Sequence, residues 1–320
     1  MIRVLKMISI STIFLLCTAI GTYGYAGQHE GHSGSHHKKC SRDISQPCAT
    51  SSKAKQQRRM DTVVGLYEDL IYPGPKAVLS DHTNADHIFE QSVIKGRVTP
   101  AGYYSDFEGA IEYFYGLALT PQSRVDDIKV RSITASGDAV AIEVDLHFCQ
   151  APFAACDPEV PDDASNNTLR QIGFYTFNAN DKVISFDLAI LNLGKSSNPQ
   201  SEQEKAATIM GVCTVLTTAH FNVVTEQVVY GGTCTDYFDG AEDFPEGFPV
   251  TAGDAMTNCV AYMSSIPYGT WDQPSSDTFT CRSLHSLLTP LRSMHCMHVS
   301  VDGGGKCVDS DYGDFFDKEF

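Results

Sequence analysis

The chain has 320 residues, 42% of them hydrophobic, and a formal charge of −16 from 23 basic and 39 acidic side chains. That length is enough for two domains, each burying a core of its own. So acidic a protein repels nucleic acid and anionic membrane, which excludes both as partners, and it attracts cations.

In chain order, residues 1–26 hold Arg3 and Lys6, the apolar run ISISTIFLLCTAI, and then Gly24-Tyr25-Ala26. This is the pattern of a secretory signal peptide. The run is too short to span a bilayer and no second one follows, so a secreted protein without a membrane anchor is expected. Losing Arg3 and Lys6 but no acid takes the charge from −16 to −18, and Cys17 leaves with them. Ten of the 11 cysteines then remain, an even number that favours as many as five disulfides in an oxidising compartment. Asn166-Asn167-Thr168 is the one N-x-S/T sequon and is consistent with a surface loop if the host glycosylates it. A cut after Ala26 leaves Gly27-Gln28-His29 at the N-terminus. Its amine, two amides and the His29 imidazole form a four-nitrogen square-planar set suited to Cu(II) or Ni(II).

Residues 27–57 are Gly, Ser, His and Lys with few large apolar side chains, so a flexible segment is predicted. It carries His29, His32, His36 and His37, a tract that reads as a polar linker or a metal collector, and Cys40 and Cys48, which are spaced to close a small loop. From Met60 the apolar positions Met60, Val63, Tyr67, Leu70 and Ile71 make one helical face that stops before Pro73 and Pro75. Ser105-Asp106-Phe107-Glu108 reads as a capping box opening a second helix, with Phe107, Ala110, Ile111, Phe114 and Leu117 on one face. The pattern then changes to period two. In AVAIEVDLHF, Val140, Ile142, Val144, Leu146 and Phe148 face one way and Glu143, Asp145 and His147 the other. Ser136-Gly137-Asp138 and Asn180-Asp181 are turn signals for two hairpins, and Cys149 and Cys156 are placed to staple a Pro-containing tip.

Two helices followed by long hairpins resemble the cone-shaped ketosteroid-isomerase-like superfamily and its SnoaL-like polyketide-cyclase branch. KGRVTPAGYYSDFEGAIEYFYGLA is similar to that superfamily's short strand and third helix, and QIGFYTFNANDKVISFDLAILN to its last hairpin. The resemblance covers residues 58–195. It implies an α+β cone in which helices close a strongly curved antiparallel sheet around a pocket for a small apolar molecule, often without a cofactor. Many members have no known catalysis, and fold alone does not deliver function.

Asn198-Pro199 lies in a polar linker. Ser201 to Glu204 is a second capping box, and Ile209, Cys213 and Leu216 share the face of the helix it opens. Residues 202–320 form a cysteine-rich module predicted to be mainly helical. It holds Cys213, Cys234, Cys259, Cys281, Cys296 and Cys307, for which sequence allows fifteen pairings. The module needs such staples, since its helices are short and it is rich in Gly, Ser, Thr and Asp. With CR-x-LH, HC-x-H and GGGKC it is similar to modules of secreted eukaryotic proteins that also carry a ketosteroid-isomerase-like half, a likeness that brings no activity with it.

The densest chemistry lies between Cys281 and Cys307, where His285, His295 and His298 are interleaved with three cysteines. Cys281 and His285, four apart, fall on the inward side of a short helix. Three imidazoles suit zinc or copper with a position left open. The alternative is that the cysteines pair and the histidines bond to backbone. There is no C-x2-C pair, so the usual zinc-finger forms are excluded, and the Asp302 to Asp314 region lacks the ligand alternation of an EF-hand.

In the cone the polar residues able to reach a pocket are Tyr67, His82, Asp86, His87, Arg97, Tyr103 and Tyr104. Arg97, His82, His87 and Tyr103 are the expected contacts or acid–base groups. Asp145 and His147 fall opposite the apolar face, which favours a surface or homodimer contact over catalysis. No GxSxG, HExxH, P-loop or dinucleotide fingerprint occurs. The readings left open are an enzyme acting on a small apolar molecule by proton transfer or metal-assisted oxidation, a non-catalytic ligand or partner binder, and a metal-handling protein.

Overall fold

The helical face expected from Met60 belongs to α1 (Ala49–Glu68), which starts earlier because the preceding Ala, Lys, Gln and Arg residues favour helix without adding apolar periodicity. The computed structural model describes residues 49–150 and 166–309, apart from 241, 243 and 274. The expected signal peptide, the histidine-rich tract with His29, Cys40, Cys48, Cys156 and the acidic C-terminus lie outside these residues. Among the described residues no helix is long and apolar enough to cross a membrane.

Four strands form an antiparallel meander: β3 (Ser123–Ser136), β4 (Ala139–Gln150), β5 (Asn166–Phe177) and β6 (Val183–Ile190). β1 (Lys95–Thr99) joins β6 in parallel and pairs on its other side with β2 (Gly102–Tyr104), so the sheet order is β2-β1-β6-β5-β4-β3. Register shifts at Val125/Asp127 and Val130/Ser132 add residues to β3 and bend it, and the six-stranded sheet is curved. Val98, Val140, Ile142, Val144, Leu146, Tyr175, Phe186 and Leu188 are buried together with Val63, Leu66 and Tyr67 of α1 and with Val78 of α2 (Gly74–Ser80). The α+β cone is therefore present as expected.

Both hairpin turns are held by one side chain. Arg59 is 1% exposed, and its guanidinium donates to Asp181 Oδ1 at 2.9 Å, Asp138 Oδ1 at 2.7 Å, and the carbonyls of Gly137 at 2.8 Å and Asn178 at 2.9 Å. A buried guanidinium is tolerable only with its donors satisfied in this way.

The second cone helix corrects the sequence reading in two respects. Its N-cap is Asp106, whose carboxylate accepts from Gly109 N at 2.6 Å, and not Ser105. After α3 (Phe107–Ile111) the helix also does not run straight on, but widens into one π-helical turn, Glu112–Gly116. Such turns re-aim side chains and recur at functional sites.

After the short α4 (Leu193–Ser197), α5 (Glu202–Thr217) opens on the expected cap, Ser201 Oγ accepting from Glu204 N at 3.2 Å. A hairpin that four-residue strands made invisible to periodicity follows, β7 (Ala219–Asn222) and β8 (Gln227–Tyr230). Then come α6 (Asp236–Asp239), α7 (Ala255–Ser265), α8 (Phe279–Ser286) and α9 (His295–Val299). The six tail cysteines pair among themselves: Cys213–Cys259, Cys234–Cys296 and Cys281–Cys307. Phe238, Phe279, Tyr262 and Val299 fill the core between them. The two halves are not independent, however. Leu284 and Leu288 from the α8 region are buried in the cone's core, with Trp271 and Leu291 against it.

Candidate metal centre

α8 places His285 one residue beyond Leu284, so the residue that anchors the tail in the cone also fixes the imidazole. α9 presents His295 and His298, three apart and on one side of the helix. The three Nδ1 atoms form a nearly equilateral triangle: 3.2 Å from His285 to His295, 3.3 Å from His285 to His298 and 3.3 Å from His295 to His298. The residues are 3%, 2% and 5% exposed.

No protonation pattern satisfies this triangle. An Nδ1 atom carries either a proton or a lone pair. With three mutually facing atoms, at least one pair must set proton against proton or lone pair against lone pair. A cation accepting all three lone pairs removes the conflict. An ion about 2.05 Å from each nitrogen, the usual zinc–imidazole distance, would subtend angles of about 105° between them. That is close to three corners of a tetrahedron, with the fourth left for water or substrate. A square-planar Cu(II) ion would instead need nitrogens about 2.8 Å apart. The donor set therefore fits an ion of the zinc class.

The triad's hydrogen-bond partner comes from the cone. Glu112, the first residue of the π-helical turn, is 3% exposed and its Oε2 lies 3.0 Å from His295 Nε2. With the Nε2 proton donated there, a neutral His295 keeps its Nδ1 lone pair for the ion. Arg292 Nε sits 2.7 Å from the other Glu112 oxygen. Burial, then the neighbouring imidazoles and Lys306, push His285 well below the usual histidine range. Burial first, then His295, Lys306 and Arg292, lower His298 to about 4. Both shifts favour the unprotonated, metal-binding form. Gly116 ends the turn against the tail, where an added methyl would meet Leu291 Cδ1 at 2.6 Å.

The residues expected to serve the cone are dispersed. His82 is half-buried, its Nδ1 2.8 Å from Glu108 Oε2, and His87 is exposed. Arg97 pairs across strands with Asp187, Nε to Oδ1 2.9 Å, on the face opposite Phe186 and Leu188. Tyr103 stands opposite Arg97 in register, its ring 3.5 Å from Lys306 Nζ. Arg97 and Tyr103 thus come together on the outer face, while the cone core holds Tyr67, Tyr104, Tyr115 and Tyr175. Tyr67 donates to Gln171 Oε1 at 2.6 Å and Tyr175 to Tyr67 at 2.9 Å. The buried Tyr104 and Tyr115 hydroxyls have no hydrogen-bond partner among the described residues. Burial raises all four phenols, which stay protonated donors. Asp145 and His147 have separate partners. Asp145 is clamped by Arg131 and Arg170, and His147 Nδ1 lies 3.0 Å from Thr168 Oγ1.

Residues 253–310, which include the three histidines, match the model of the BfoA family C-terminal domain. No curated protein matches the chain. Among solved structures the chain is similar to an M. tuberculosis LEH-like epoxide hydrolase, at 9% identity and TM-score 0.31, over 43% of this chain and 85% of that one. A protein of Jannaschia sp. CCS1 called a SnoaL-like polyketide cyclase matches at 16% identity and TM-score 0.32, over 45% and 95%. An NTF2-like protein of unknown function from Burkholderia pseudomallei matches at 11% and 0.29, over 42% and 90%.

Proposed function

We propose that the protein is a secreted metalloenzyme in which His285, His295 and His298 hold an ion of the zinc class that acts on a small, largely apolar molecule. The observation that carries this reading is the Nδ1 triangle with sides of 3.2–3.3 Å, a set of contacts that no protonation pattern satisfies in full and that a shared cation would satisfy. Three protein donors leave one coordination position. An ion held by the three nitrogens would supply there the acidification of a bound water or the polarisation of a substrate oxygen. Glu112 orients His295, and Leu284 and Leu288 keep the seam dry. The unpartnered Tyr104 and Tyr115 hydroxyls support an apolar interior that receives a molecule with an acceptor atom. The three disulfides fit an oxidising compartment.

A second reading is a structural ion that staples the tail to the cone. It is favoured by the near-complete burial of the triad and by the cone's contribution of Glu112. Cobalt substitution separates the two. In the enzyme reading the protein binds one Co(II), and its visible spectrum shifts when azide or a hydroxamate occupies the fourth position. In the staple reading the spectrum stays unchanged. Failure of His285→Ala with His298→Ala to reduce cobalt binding would remove both.

A further inference from the structure

α8 carries a second set of donors on the same side as His285. Cys281, four residues earlier, is bonded to Cys307, and a donor atom from each of Cys281, His285 and Cys307 lies within 4.8 Å of the other two. All three residues are buried. We propose that this disulfide is a masked pair of metal ligands: once opened, its two thiolates and His285 form an N/S2 site for a thiophilic cation, and the module exchanges an all-nitrogen site for a sulfur-rich one. The inference rests on the metal-centre reading only through the shared residue His285.

The site is built to survive opening of the bond. The segment bearing Cys307 is held by Arg282, which is fully buried and donates through Nε to Ser300 O at 3.1 Å and through Nη2 to Val301 O at 3.1 Å. Tyr262 OH also donates to Val301 O, at 2.8 Å. Cys307 N donates to Gly303 O at 2.9 Å, and Lys306 Nζ to Tyr103 O at 3.2 Å. None of these bonds involves sulfur. Breaking the S–S bond therefore leaves both side chains facing His285, with Cα atoms 5.5 Å apart.

The chemistry closes. A dithiol reductant passes two electrons and two protons to the disulfide and itself becomes a disulfide, leaving Cys281 and Cys307 as thiols. An incoming Zn(II), Co(II) or Cd(II) displaces the two thiol protons to solvent and takes thiolate sulfur together with imidazole nitrogen, a combination zinc-class ions favour.

The test uses Co(II) as the probe on the full mature chain. Oxidised protein should bind cobalt through the triad without a thiolate-to-cobalt charge-transfer band. After dithiothreitol treatment and its removal without air, the same protein should show that band, and the Cys281→Ser, Cys307→Ser double variant treated identically should not. A band that persists in the double variant would assign the sulfur to other cysteines and overturn the proposal. So would reduced protein that has two new free thiols and native circular dichroism but no band. Cys281→Ser alone, never exposed to reductant, leaves Cys307 unpaired beside His285. It should give a band about half as intense, since one thiolate replaces two, and no band there overturns the proposal even if full reduction unfolds the chain. Loss of cobalt binding by the oxidised protein with the sulfur band intact after reduction would defeat the triad reading and leave this one standing.

Discussion

Replacing Glu112 with Gln keeps the shape and an acceptor oxygen but removes the charge, so it isolates what the cone contributes to the proposed metal site. Glu112 Oε2 lies 3.0 Å from His295 Nε2, with both side chains at or below 4% exposure. An ionised acceptor makes a hydrogen bond about twice as strong as a neutral one, and removal of outer-shell partners typically lowers metal affinity 10- to 100-fold. That range corresponds to about 1.4–2.7 kcal/mol. The Arg292 side chain loses its partner in the same variant, but it is 28% exposed and water can replace part of that interaction. Zinc affinity measured by competition with a chromophoric chelator should therefore fall 10- to 100-fold in Glu112→Gln, with the circular dichroism of the metal-free protein unchanged. An affinity within twofold of the parent, alongside a clear loss in His285→Ala, would refute the coupling and leave Glu112 as a partner of Arg292 alone.

Arg59→Ala should cost about 3–5 kcal/mol in urea unfolding, because two hairpin turns and two carboxylates lose a buried common donor. Asp145→Asn should cost about 1–3 kcal/mol at neutral pH, discounted because Arg131 and Arg170 are partly exposed. The hydrogen bond from Arg170, with Arg131 adding to it against burial, holds the Asp145 carboxyl below the usual carboxylate range of 3.8. A depressed folded value stabilises above the unfolded value and is lost as pH falls through the folded one. The difference between parent and Asp145→Asn should accordingly shrink below about pH 4. In denatured, unreduced protein the six tail cysteines should give no thiol reaction, and a modified peptide containing any of them would contradict the pairing.

Much of the cone was legible because its signals are local. Alternation in AVAIEVDLHF gave the buried face of β4, and Asn180-Asp181 gave a turn, Asp181 adopting φ 61°. The three histidines could be named from composition, but only the fold brings residues ten and three apart within 3.3 Å and aims one nitrogen of each at a common point. Glu112 was missed because it falls off the apolar face of Phe107, Ala110, Ile111, Phe114 and Leu117, where periodicity reads an acid as solvated, and only the fold shows it 3% exposed against the tail. A π-helical turn, which periodicity does not signal, begins at Glu112, and there its carboxylate meets His295 of the tail. Arg97 and Tyr103 were read as polar residues near the right segments, but which side of a three- or five-residue strand faces the core depends on register that propensity does not carry, and His82 and His87 lie in a short helix and a turn outside any strand.

The shared core has a consequence for how the chain unfolds. Two domains read from sequence would melt separately if each closed its own core, but Leu284 and Leu288, at 3% and 0% exposure, are buried with the cone's residues although α8 is tied to the tail by Cys281–Cys307. Leu288→Ala removes buried volume from the seam at a cost of about 2–5 kcal/mol. A binding ion adds stability to the same seam, about 2.7 kcal/mol at a free concentration one hundred times its dissociation constant. Thermal unfolding followed by hydrogen-exchange labelling of the β4, β5 and β6 peptides, which reports the cone, and by cobalt absorbance, which senses the tail's triad, should therefore give one coincident transition, and Leu288→Ala should lower both by the same number of degrees. Two separate transitions, with Leu288→Ala moving only one, would show that the cone and the tail hold their structures independently and that Glu112 meets His295 without coupling them.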